Sequence, residues 1–102
     1  MRTENEIAAD IMRFSPVDGN WLELERVLDE LWRAGPSAAS LGALFGVFER
    51  FPDEDGAGVF WSIVHGLEHL DIPYETALRE SLARRPSEMG EIMLHRLDNA
   101  RR

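Results

Sequence analysis

Three residues in this chain have types and spacing that suggest chemistry at once. His65, Glu68 and His69 stand in the string His65-Gly66-Leu67-Glu68-His69. Written H-x-x-E-H, this matches the inverted zincin pattern, in which two histidines one helical turn apart bind zinc and a neighbouring glutamate activates water. For the chemistry to work, the string must be helical, both rings must leave one face, and a third protein ligand must arrive from elsewhere. The only other histidine is His95, far along the chain. Carboxylates such as Glu75, Glu88 or Glu91 could replace it, but none has a spacing that identifies it.

The elements that would position these residues can be read from punctuation. Six helix-sized segments are separated by Pro, Gly and acidic residues, and nothing alternates with the period of two of a half-buried strand. The expected fold is all-α: six helices as three antiparallel helical hairpins, HEAT-like or in a compact bundle, within one domain spanning 1–102. The first helix should start at Thr3, with Glu6 completing a capping box, and carry Ile7, Ile11 and Phe14 inward. A second should be capped at Asn20 with Glu23 as its box partner, and end at Gly35-Pro36. The third runs from Ser37 to Phe51 and the fourth holds the histidines. Pro73 suits the first turn of the fifth, and Ser87 caps the sixth.

On the fourth helix, Val59, Phe60, Ile63, Val64, Leu67 and Leu70 share one apolar arc, and His65 and His69 lie nearly opposite it beside Trp61 and Glu68. The rings can therefore point the same way. Arg96 gives Glu68 another occupation: it falls among Met89, Ile92 and Met93 on the sixth helix, where a buried guanidinium needs a carboxylate from Glu68 or Glu75. Glu68, Glu75 and Arg96 are thus expected to form a structural polar network, and no residue is assigned a catalytic or metal-binding role. Two columns of small residues, Ala38-Gly42-Gly46 and Gly58-Ser62-Gly66, point to close packing of the third helix on the fourth, because glycine inside a helix costs roughly 1 kcal/mol against alanine. A groove flanked by Trp61 and His65 is the alternative.

Composition narrows the functional classes. The chain has 102 residues, 44% of them hydrophobic and 29% charged, with no cysteine and no apolar run that could span a membrane. Disulfides, thiolate catalysis and cysteine-ligated zinc are excluded, and the expected location is the cytoplasm. There are 19 acids against 11 bases, a net charge of −8, which argues against nucleic acid and for a basic protein partner. Every base is an arginine, so no lysine is present for a Schiff base or a P-loop.

From Phe48 to Asn99 the chain resembles small bacterial helical proteins, some of which look like immunity proteins of polymorphic toxin systems. The likeness rests on Phe60-Trp61, His65-Gly66-Leu67-Glu68, Tyr74-Glu75, Arg85-Pro86-Ser87-Glu88, Met93, Arg96-Leu97 and Asn99. His69 is not part of that pattern. The resemblance implies a non-enzymatic, monomeric or weakly dimeric interaction module, without cofactor, that binds and neutralises a cognate toxin. A structural adaptor or subunit of a helical assembly is the alternative function, and a zinc hydrolase the third. The expected partner-binding residues are Glu49, Asp53, Glu54 and Asp55 on one side and Trp61, His65, Glu68 and His69 on the other.

Overall fold

A computed structural model describes residues 2–100. Six α-helices follow in order: α1 Glu4–Arg13, α2 Leu22–Ala34, α3 Leu41–Arg50, α4 Phe60–His69, α5 Glu75–Arg84 and α6 Glu88–Ala100. A single 3-10 turn, Ala38–Ser40, leads into α3, and no strand is formed among the described residues. The all-α expectation holds. With a radius of gyration of 12.8 Å the chain is as compact as a domain of about 100 residues should be, roughly 13 Å.

The centre belongs to α3, for a reason visible in its composition. Its segment Leu41-Gly42-Ala43-Leu44-Phe45-Gly46-Val47-Phe48 carries apolar residues almost all round, and such a helix is buried on several sides. It packs on α1, α5 and α6. The chain neighbours α1 and α2 pack together, as do α5 and α6, while α4 lies against α2. Two contacts fix the direction of that last pair. Trp21, at the head of α2, meets Phe60, at the head of α4, with ring centroids 5.3 Å apart, and Trp32 near the end of α2 covers Gly66 in the second half of α4. The two helices therefore run roughly parallel.

This packing redirects the small-residue columns. A Cβ at Gly66 would come within 2.5 Å of the Trp32 ring, so the glycine is there to admit an indole from α2, not the backbone of α3. On α3, a Cβ at Gly42 would meet nothing within 4 Å, and one at Gly46 would touch only the end of the Arg50 side chain. The close approach expected between α3 and α4 through these columns is not what the glycines serve.

Helix ends follow local rules with two departures. Thr3 and Glu6 form the full capping box at α1, and the Ser87 hydroxyl accepts from the Gly90 amide at α6. The expected box at Asn20 is absent: α2 begins at Leu22, and Asn20 Oδ1 accepts from the Leu22 amide while Glu23 pairs with Arg26. The reason is the preceding turn. Asp18 and Gly19 both have positive φ, 51° and 72°, giving a type I′ turn in which the Asn20 amide donates to the Val17 carbonyl and has no need of Glu23. At α5, Pro73 stands just outside the helix and Tyr74 takes the cap position. Two carbonyls at the end of α1 are also met by Arg50 of α3, whose Nη2 donates to Ile11 at 2.8 Å and to Phe14 at 3.4 Å.

Candidate functional site

The apolar arc of α4 is in place: Phe60, Ile63, Val64 and Leu67 are fully buried, which turns Trp61, His65, Glu68 and His69 to the outer side. There the structure assembles four side chains from two helices. Arg96 of α6 reaches Glu68 of α4 in a two-pronged bond, Nε donating to Oε2 at 2.7 Å and Nη2 to Oε1 at 2.8 Å. The same guanidinium stands over the Trp61 ring at 5.9 Å, and Trp61 in turn stacks on His65 with centroids 5.7 Å apart. His65 Nδ1 lies 3.9 Å from Glu68 Oε1, and His69 closes the helix, exposed.

The electrostatics follow from the pair. Hydrogen bonding to Arg96, and then its charge, hold the Glu68 carboxyl below the usual glutamate range, and the same bond holds the Arg96 guanidinium more firmly protonated. A carboxylate stabilised in this way is a poor proton acceptor, the opposite of what a water-activating base requires. The bond between Glu68 and Arg96 is one of the two expected from sequence, but the guanidinium is not buried; 43% of the side chain is exposed, because Arg96 leaves the flank of α6 and lies along the outside of α4. Glu75 accepts from Arg79 Nε at 2.9 Å, and Arg79 approaches Asp98 of α6 at 3.7 Å. No three His, Cys, Asp or Glu side chains among the described residues stand close enough together to hold a metal ion.

The acidic residues named with this face divide. Glu49 is largely covered and serves packing: its carboxylate accepts from the Ser81 hydroxyl at 2.8 Å and from Arg84 at 3.0 and 3.1 Å, which lowers its pKa and ties α3 to α5. Asp53, Glu54 and Asp55 are exposed on the connection between α3 and α4, with no ion pair or side-chain hydrogen bond among the described residues. Their positions are nevertheless fixed by backbone. The Glu88 amide donates to the Pro52 carbonyl at 2.8 Å, the Gly58 and Phe60 amides both donate to the Asp55 carbonyl at 3.1 Å, and Gly56, Ala57 and Gly58 all have positive φ. Gly56 is required twice over, since a Cβ there would come within 2.6 Å of the Phe60 ring.

Sequence reasoning missed the other surface that the structure builds, around the Val17–Leu22 turn. Met12, Val17 and Leu22 are exposed to 60%, 73% and 68%, and Val17 and Leu22 each border an open concavity. The available signal was the Asp18-Gly19 dipeptide, which marks a tight turn and therefore a place where flanking apolar residues cannot all reach the core. In comparisons with known proteins, no family model, no curated protein and no solved structure matches this chain.

Proposed function

We propose that this chain is a non-enzymatic protein-interaction module, and that its partner is a toxin which it binds and neutralises. The observation that carries the reading is the Asp53-Glu54-Asp55 turn. Three carboxylates without side-chain partners among the described residues are held in place by backbone bonds to Pro52 and Asp55 and by a glycine fitted against Phe60. Presenting charge on a prearranged backbone lowers the ordering cost of association and favours a basic partner. The partly buried Trp61, stacked on the exposed His65, offers an aromatic anchor, of the kind that carries interface energy. The net charge of −8 supports this reading, and a cytoplasmic location and a monomeric or weakly dimeric state belong to the same proposal.

The finer architecture is part of the proposal too. Packing of α1 on α2 and of α5 on α6 supports a description in antiparallel hairpins, and the position of α4 against α2 favours a compact bundle over a HEAT-like stack. The test is genetic. If the neighbouring gene encodes a toxin, co-expression of this chain restores growth and the two proteins co-purify; failure of both overturns the toxin reading. The adaptor reading draws on the exposed Met12 and on Val17, which is exposed beside a concavity of about 440 Å³ and suits burial in a helical assembly. It predicts a stable complex with a non-toxin subunit.

A further inference from the structure

The connection that carries the three acids also forms one wall of a cleft, and the cleft has a character of its own. It is an open concavity of about 420 Å³ between the head of α2 and the turn leading into α4, bordered by Gly19, Trp21, Leu22, Glu25, Ala57 and Val59. Both walls are tied down by backbone bonds and ring contacts. On one side the type I′ turn at Asp18-Gly19 fixes the chain, and Trp21 beneath it is wedged among Phe14, Phe51 and Phe60 at 5.7, 5.1 and 5.3 Å. On the other, Ala57 and Gly58 are held at positive φ by the amide bonds to the Asp55 carbonyl.

The lining combines the apolar Trp21, Leu22 and Val59 with the polar Asn20 and one carboxylate, Glu25. Leu22 begins α2 yet is 68% exposed, so its side chain is an apolar surface that nothing in the chain covers. Glu25 lines the cleft, Asp18 precedes the lining Gly19, and Asp55 anchors the turn that carries Ala57 and Gly58. None of these three carboxylates has a side-chain partner among the described residues, and no arginine lines the cleft. Elsewhere on the first two helices, Asp10, Glu23, Asp29 and Glu30 are each paired with an arginine.

We propose that this cleft docks an apolar side chain carried on an arginine- or lysine-rich segment of a protein partner. Charge complementarity selects that occupant. The unpaired acids repel nucleic-acid phosphates and anionic lipid headgroups, and a second copy of a chain with net charge −8 is disfavoured for the same reason. Leu22 supplies the exposed apolar area that charge alone would not, since rim charges act mainly on encounter and specificity. The inference rests on the reading of this chain as a binding module, and it names the docking place and the chemistry of what docks.

The test is selection of a displayed random-peptide library on the purified chain, followed by titration of the selected peptides. Peptides that pair one large apolar residue with flanking basic residues are expected. Their affinity should fall about tenfold or more in Glu25→Lys combined with Asp55→Lys, and again in Leu22→Ser. All these positions are exposed or lie at the rim, and unchanged circular dichroism and melting temperature would show that the variants are folded. Selected peptides without basic residues, or with affinities indifferent to both variants, or no selected peptide at all, would overturn the proposal. The two readings fail separately. Growth rescue that persists in the charge-reversed variant removes the cleft but keeps toxin neutralisation, whereas cleft-dependent peptide binding without any rescue keeps the cleft and removes the toxin.

Discussion

Glu68 shows how one partner changes what a residue can do. In the string H-x-x-E-H it stands where a general base would stand; in the fold its two oxygens accept from the Nε and Nη2 of Arg96. The bond depresses its pKa below the ordinary value of about 4.3 in the unfolded chain, so its stabilising contribution is complete above that pH and is lost as the pH falls through the folded value. Glu68→Gln should therefore be less stable than the parent at neutral pH. In urea titrations the difference should shrink towards zero between about pH 5 and about pH 3, because a protonated glutamate and a glutamine offer Arg96 nearly the same acceptor. A difference that stays constant down to the lower pH would show that the Arg96 bond is not the source. The sequence allowed the pairing to be expected from Arg96 on an apolar stripe, but it suggested a buried guanidinium where the structure has an exposed one.

At the scale of elements, glycines report where helices touch. Gly66 and Gly42 look equivalent in the sequence, each a small residue in a column of small residues. Only Gly66 faces a neighbour, the Trp32 ring. Both sit in helices where alanine is favoured by roughly 1 kcal/mol, but at Gly66 a methyl group meets an aromatic ring and overpacking costs about 1–3 kcal/mol. Gly42→Ala should accordingly raise the melting temperature by a few degrees, while Gly66→Ala should lower it, as thermal denaturation followed by circular dichroism can show. Opposite signs are the expectation, and stabilisation by both would mean that Trp32 yields freely. Several helix ends were legible because they are marked by a residue that acts through its own backbone or side chain: Thr3 with Glu6 at α1, Gly35 in the left-handed region after α2, Ser87 before α6. The start of α2 was not, because it depends on how the Asp18-Gly19 turn spends the Asn20 amide.

The whole molecule is held by an acid-rich set of pairs that tie distant segments together. Arg2 bonds Glu30 of α2 and Asp10 of α1, Glu4 accepts from Ser37 and Ser40, Glu49 from Ser81 and Arg84, and Glu68 from Arg96. In every case the bonded carboxylate has its pKa lowered, so the unfolded chain binds more protons than the folded one as the medium turns acid. Stability should then fall steadily from about pH 5 to about pH 3, read as the urea midpoint at each pH. A midpoint that rises over that interval would mean that relief of the repulsion among 19 acids outweighs the bonds that they make.

The sequence by itself determined the class of fold, the helix faces and the sign of the surface, since these depend on local periodicity, capping and charge count. Only the tertiary structure decided that α3 lies at the centre, that α4 rests on α2, that Glu49 serves α5, and that Leu22 stays outside beside unpaired acids. Those outcomes are relations between segments far apart in the chain. A residue's own type sets what bonds it can make, but which partner reaches it is decided by packing.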